Sequence, residues 1–301
     1  MRFVTAQKRG QTIIGIMIED GSKVLDLHEA EIAMKGNTTI PSTMNECLDL
    51  GDSFVDKVSE IEKWASVHND GGYILEIAEV ELKAPIPRPR KNVFCVGKNY
   101  ADHAIEMGSA ADIPEHVMLF SKAPTSVIGT EGTILHHDHI TNQLDYEGEL
   151  AVIIGKKGKR IAEKDAFDYV FGYTILNDIT ARDLQDKHKQ FLLGKSLDTS
   201  CPMGPYIAHK SLISNPGKLS IETKVNGEIR QSGNTEQFIF SIEKIISVIS
   251  QGTTLEPGDI IATGTPAGVG KGFKPPRFLN KGDLIEITVE GLGTLKNSIE
   301  Q

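Results

Sequence analysis

Cysteine is scarce and scattered: Cys47, Cys95 and Cys201 are odd in number, far apart and without a CxxC pair. That excludes a disulfide framework and a cysteine-based zinc site, and suits a reducing compartment. Basic charge is also in deficit. Against 41 Asp and Glu stand 32 Lys and Arg, a formal net charge of −9, so neither nucleic acid nor an anionic membrane is an expected partner. No stretch approaches the length of a membrane span, and MRFVTAQKRG carries no apolar signal region behind its basic residues. A soluble cytoplasmic protein is expected. Low-complexity segments and repeats of solenoid or propeller period are absent. So are the nucleotide signatures: GxGxxG does not occur, and in DIIATGTPAGVGKG Thr265 stands where a Walker A loop needs glycine and Gly272 where it needs Ser or Thr.

What is present is ordinary globular material, 301 residues with 39% hydrophobic and 24% charged side chains. This is enough for one large domain with a small companion. TIIGIMIED, a turn at Asp20 and Gly21, and KVLDL predict a β-hairpin. Phe54, Val58, Ile61 and Trp64 predict a helix over 53–67. In KAPIPRPRK the alternating Pro85, Pro87 and Pro89 forbid helix and suit an extended connector. The expected organisation is therefore a small N-terminal domain over 1–82, a connector over 83–91 and a larger domain over 92–301. Beyond the connector NVFCVG, VMLFS, ELAVIIG, VFGYTIL, IETKVNGEIR, DIIATGT and DLIEITVE read as strands, with a hairpin turn at Asn226 and Gly227. Helices are fewer; Ile242, Ile245, Ile246 and Ile249 predict one closed by a glycine cap at Gly252. The fold class is α+β and β-rich.

The chemistry concentrates in LDYEGELAVIIG and ILNDITARD. Residues two apart on a strand share a face, so Glu147 and Glu149 lie side by side across Gly148. The apolar run Leu150 to Ile154 takes that strand into a core, where paired carboxylates are costly unless neutralised. Asp178, ending the next apolar run, can supply a third oxygen. A hard cation, Mg²⁺ or Mn²⁺, fits this set better than an edge strand with two solvated glutamates.

Other motifs admit two readings each. His103 and Glu106 in NYADHAIEMG stand at i, i+3 on a short helix, as a proton-relaying pair or as an ordinary surface contact. Lys195, and likewise Lys122, could face a substrate carboxylate or the acidic set, or end a strand in solvent. Arg182 and Gln185 could hold a carboxylate and a carbonyl near the metal, or Arg182 could pair with Asp183 or another acid. The turn after DIIATGT could offer N–H groups and the Thr265 hydroxyl to a carboxylate, or be a plain turn. HHDH at 136–139 reads as a polar loop rather than a metal cluster.

Over residues 84 to 300 the chain resembles the fumarylacetoacetate hydrolase family. The resemblance rests on NYADHAIEMG, SKAPTSVIG, LDYEGELAVIIG, FGYTILNDITARDLQ, GKSLDTSCPMGP, VNGEIRQSGNTEQFIFS and LEPGDIIATGTPAGVG, in the family's order. It implies a mixed β-sheet roll, a homodimer, and magnesium or manganese held by Glu147, Glu149 and Asp178. It further implies catalytic roles for Lys195 and for a lid dyad, His103 and Glu106, and substrate contacts for Lys122, Arg182, Gln185 and Thr265. Within the family the chain is most similar to bacterial oxaloacetate decarboxylases and acylpyruvate hydrolases. The resemblance thus implies cleavage of the C3–C4 bond of a 2-oxo acid through a metal-bound enolate, with oxaloacetate decarboxylation the first expectation. Hydrolysis of acylpyruvates, tautomerisation or isomerisation of an unsaturated hydroxy dicarboxylate, and a scaffold or binding protein without turnover are the alternatives.

Overall fold

The run Leu150–Ile154 lies at the centre of a 12-stranded sheet, in a computed structural model that describes residues 1–68 and 71–301. Every residue of the strand Gly148–Ile154 is buried. Its even-numbered side chains, Leu150, Val152 and Ile154, join a core with Ile221, Ile285 and Ile287 of a second, five-stranded sheet. Its odd-numbered side chains, Ala151 and Ile153, join a core with Leu27, Phe54 and Ile61 under the N-terminal helices. A strand covered on both faces needs apolar residues at every position, which is why this run does not alternate. Each fully buried aliphatic side chain contributes about 1.5–3 kcal/mol, and that burial offsets the cost of enclosing the glutamates at the strand's start.

The larger sheet runs, in spatial order, Ile74–Glu76, Lys23–Asp26, Gln11–Ile18, Arg2–Lys8, Cys201–His209, Val170–Asn177, Gly148–Ile154, Ile260–Ala262, Val93–Gly97 and Met118–Lys122. The N-terminal segment is part of it. Arg2–Lys8 pairs with Gln11–Ile18 on one side and with Cys201–His209 on the other, so backbone hydrogen bonds cross the boundary expected at residues 83–91. The hairpin expected at Asp20 and Gly21 closes through Glu19–Ser22, with Asp20 and Gly21 both left-handed, and the one at Asn226 (φ 52°) and Gly227 (φ 79°) has the pair of positive φ values a two-residue turn between twisted strands needs.

The helix Asp52–Ala65 buries Phe54, Val58, Ile61 and Ala65. Trp64, expected in that stripe, is only partly buried and stacks on His68 instead. The helix Ile242–Ser250 starts at Ser241, whose hydroxyl accepts the Lys244 N–H. Its expected glycine cap is not formed. Gln251 stays right-handed and Thr253 N donates to Ile249 O, so the chain leaves through a further turn without a left-handed residue at Gly252. Among the described residues no helix is long and apolar enough to cross a membrane.

Candidate active site

Strand register assembles the acidic set. Gly148 pairs with Asn177 and Glu149 with Leu176, so the next step of the ladder sets Asp178 opposite Glu147, with Asp178 N donating to Glu147 O at 2.8 Å. Residues directly opposite on antiparallel strands share a face, as do residues two apart on one strand. Glu147, Glu149 and Asp178 therefore converge, and their ligand oxygens lie within 4.8 Å of one another, all buried. Gly148 is required between them: a Cβ there would stand 2.4 Å from Thr223 Oγ1 on the facing sheet.

Cations enclose this set. Lys195, on the short helix Leu192–Lys195, donates to Glu147 Oε2 at 2.8 Å and to Asp178 Oδ2 at 2.7 Å. It ends no strand in solvent. Lys122 likewise faces the acidic set, and not the substrate that the resemblance implied for it. It is wholly buried behind the set, ion-paired with Asp178 Oδ1 at 2.8 Å and donating to the carbonyls of Ile179 and Lys195, so it braces Asp178 and does not reach a substrate. Arg182 Nε donates to Asp145 Oδ2 at 2.8 Å, its Nη1 to Gln185 Oε1 at 3.2 Å, and its Nη2 meets Glu147 Oε1 at 2.6 Å as an ion pair outside hydrogen-bond alignment. Asp183 is not its partner; that side chain accepts from Thr141 and Asn142.

The glycine-rich turn binds carboxylates, but they are the protein's own. Gly264 N donates to Glu149 Oε2 at 2.7 Å, Gly268 N to Glu106 Oε2 at 2.9 Å, and Gly270 N and Lys271 N to Asp145 at 2.6 and 3.0 Å. Gly268 is left-handed (φ 106°), and a Cβ there would stand 2.0 Å from Arg230 O. Thr265 lines the cleft, yet its hydroxyl donates to Gly148 O and accepts from Gln231, so its proton is not free for a substrate carboxylate. The helix Ala101–Glu106 brings His103 Nδ1 to 2.8 Å from Glu106 Oε1, and His103 is 5% exposed, which rejects the surface-contact reading. HHDH is a loop whose rings bond to carbonyls, His136 to Leu279 O and His137 to Asp198 O; among the described residues it contributes to no metal cluster.

These groups surround a cleft of about 360 Å³ that includes His103, Glu147, Glu149, Arg182, Gln185, Lys195 and Thr265 among its walls. Two residues that support these walls from behind were not foreseen. Asp145, fully buried, receives Arg182 and two N–H groups of the glycine turn; Gln231 receives the Gly148 N–H at 3.0 Å and donates to Thr265. The only local signal for Asp145 was its place beside Glu147. Replacing Asp145 by Asn would turn an amide N–H toward groups that are themselves donors and leave Arg182 half-paired. Asp145→Asn should cost about 3 kcal/mol, the scale for breaking a buried ion pair, and weaken divalent-cation binding through Glu147. Denaturant melts and calorimetric titration read both; unchanged stability would contradict it.

The donor chemistry fits a hard divalent cation: three carboxylate oxygens without sulfur or imidazole. Burial, with Asp178 and Glu147 adjacent, pushes the Glu149 carboxyl well above the usual carboxylate range despite the Gly264 N–H. Glu147, although equally buried, is held well below that range by Lys195 and Arg182. Since the folded Glu149 binds its proton more tightly than the unfolded chain does, the metal-free fold loses stability as pH rises from the ordinary carboxylate range through the raised value. The Glu147 contribution has the opposite sign and is lost only in more acid solution. A cation favours ionised Glu149, so the gain in melting temperature from Mn²⁺ should grow with pH across the upper window. A pH-independent gain in thermal melts at fixed free Mn²⁺ would contradict that.

Buried carboxylates suited to a divalent cation, joined in one cleft to a carboxylate-oriented imidazole, define an enzyme whose reaction depends on a metal. The chain belongs to the fumarylacetoacetate hydrolase family, as its resemblance implied: residues 92–300 match the family model described as Fumarylacetoacetate (FAA) hydrolase C-terminal. Oxaloacetate tautomerase YisK of Bacillus subtilis strain 168 is 55% identical over 301 residues, covering 99% of this chain and 100% of that protein. The solved fumarylacetoacetate hydrolase (EaFAH) from psychrophilic Exiguobacterium antarcticum superposes with a TM-score of 0.80 at 38% identity, covering 100% of this chain and 99% of that one. Maleylpyruvate hydrolase from Sphingobium sp. SYK-6, solved in complex with manganese(II) ion and pyruvate, superposes with a TM-score of 0.76 at 27% identity over 100% of this chain and 99% of that one. The β-rich α+β architecture is thus that of the family.

Proposed function

We propose that the protein interconverts the keto and enol forms of oxaloacetate. The observation that carries this reading is the His103–Glu106 pair. His103 is buried and lines the same cleft as Glu147 and Glu149, and the half-buried Glu106 behind it is pinned by Gly268 N–H. The Glu106 carboxylate holds a proton on Nδ1 and leaves the Nε2 lone pair for the cleft. From the keto form, Nε2 takes a proton from C3; the C3–H electrons become the C2=C3 bond, the C2=O π pair moves onto oxygen, which takes a proton from water, and His103 returns its proton to water. A divalent cation on Glu147, Glu149 and Asp178 would supply Lewis-acid polarisation of the 2-oxo group. Arg182 and Gln185 hold the adjacent carboxylate, and the Ala101–Glu106 helix limits access of water. The full-length likeness to a protein named oxaloacetate tautomerase supports the same choice.

Decarboxylation, the first expectation from the resemblance, is the second reading. Met107, Met118, Phe120 and Phe191 give the cleft an apolar wall, and a carboxylate drawn against it out of water loses CO₂ more readily. One experiment separates the two. Enol oxaloacetate is mixed with Mn²⁺-loaded enzyme, the enol ultraviolet absorbance and the released pyruvate are followed together, and metal-only blanks are subtracted. Enol decay far ahead of pyruvate release is the expected result. Pyruvate appearing as fast as the enol decays would favour the decarboxylase, and no acceleration over the blank would refute both.

A further inference from the structure

Five lysine and arginine side chains line the cleft, and four of them are answered by a carboxylate of the protein. Lys98 meets Asp112 at 3.2 Å, Arg182 meets Asp145 and Glu147, Lys195 meets Glu147 and Asp178, and Lys271 meets Asp186 at 2.6 Å. Lys189 is the exception: among the described residues its ammonium has no hydrogen-bond or ion-pair partner, and it is exposed. Its backbone is unusual as well. It follows the helix Arg182–His188 in the left-handed region (φ 58°, ψ −27°), its N–H on Gln185 O at 3.1 Å, a place where glycine or asparagine is the unstrained choice. A strained backbone that aims a free cation into a cleft is an observation that asks for a ligand.

We propose that Lys189 receives the distal carboxylate of the substrate and so makes the enzyme selective for 2-oxo diacids over 2-oxo acids with an uncharged far end. The inference rests on the oxaloacetate reading above. The helix Arg182–His188 supplies the ruler: its first residue, Arg182, and the adjacent Gln185 face the proximal carboxylate end, and Lys189 follows about 10 Å further along the axis. The flexible lysine stem spans the remainder to a C4 chain. Each carboxylate then has its own charged or hydrogen-bonding partners, whereas a methyl ketone in the distal position gains nothing from the ammonium. A second consequence follows from charge. An ammonium that stabilises the C4 carboxylate as an anion opposes the flow of its electrons into the C3–C4 bond, so Lys189 steers bound oxaloacetate toward proton transfer and away from loss of CO₂.

The test compares two non-reacting probes on the Mn²⁺-loaded enzyme: malate, a C4 diacid, and oxalate, which has no distal group. Lys189→Ala should weaken malate binding about tenfold, the size of one charge-assisted hydrogen bond, and leave oxalate binding unchanged. Lys189→Arg should restore most of the loss. Lys189→Gly, which suits the left-handed backbone, should melt no lower than the natural chain and still lose the malate preference. With oxaloacetate, Lys189→Ala should raise the ratio of pyruvate released to enol consumed. Malate affinity unchanged in the Ala and Gly variants, or equal losses for malate and oxalate, would overturn the assignment. Because both probes are read by binding, this outcome is independent of the enol-decay assay on the natural enzyme, which alone decides the proposed reaction.

Discussion

Glu149→Gln is expected to abolish turnover and to lower divalent-cation affinity by at least a hundredfold, while the metal-free protein becomes more stable. The first effect follows from the donor set. Glu149 is one of three carboxylates that can share an ion, and an amide at the same volume offers a neutral, weaker oxygen. Even residues that only orient a metal ligand cost 10- to 100-fold in affinity when removed, so loss of a ligand charge exceeds that scale. The second effect follows from electrostatics. Burial and two neighbouring acids disfavour the ionised form of Glu149, and glutamine removes that charge without opening a cavity. The amide can still present an oxygen to Gly264 N–H, so the turn keeps its anchor. Calorimetric titration with Mn²⁺ and metal-free thermal melts measure the two effects. A variant that bound Mn²⁺ as tightly as the natural chain would sink the metal assignment. One that melted lower without metal would show that the charge is compensated in the fold.

His103→Ala should reduce oxaloacetate tautomerisation by a factor of about 10² to 10⁴, the range for removal of a general acid–base group. Cation affinity should stay nearly constant, since the imidazole is not among the three ligands. The substitution also frees Glu106, but that carboxylate keeps two contacts from Gly268 N–H, so the helix stays tethered to the glycine turn. Decarboxylation asks less of this residue, because loss of CO₂ needs no base and solvent can protonate the product. Any pyruvate release should therefore fall by a smaller factor than enol decay. Rates for both processes in the natural chain and in His103→Ala decide the point. Equal losses would mean that His103 serves a step common to both, such as closure of the helix over the cleft.

The acidic set was legible in the chain because its signal is local. Two glutamates separated by glycine at the entrance of a continuous apolar run are a strand-period pattern with a cost that a cation relieves, and Asp178 ends the strand that pairs next to it. The lid pair was half legible: i, i+3 spacing puts His103 beside Glu106, but only burial under the Gly264–Gly268 turn separates a working pair from a surface contact. Long-range contacts were invisible for a different reason. Asp145 and Gly270 N stand 125 residues apart and Gly148 and Gln231 stand 83 apart, and nothing in either segment encodes the other's position. Lys122 was left open between a substrate, the acidic set and solvent on the same ground, for its sequence neighbours give no sign that it lies behind Asp178.

By itself, then, the chain determined its elements, its hairpin turns, its acidic set and its family, since each depends on residue chemistry repeated at the 2.0 or 3.6 period of strand or helix or on motifs in fixed order. Tertiary structure alone decided which face of each cation looks into the cleft, that the N-terminal strands extend the central sheet, and that the glycine turn holds Glu149, Glu106 and Asp145 in one frame. Those choices are made by strand pairing and by the requirement that every buried charge find a partner, conditions set by residues far apart in sequence.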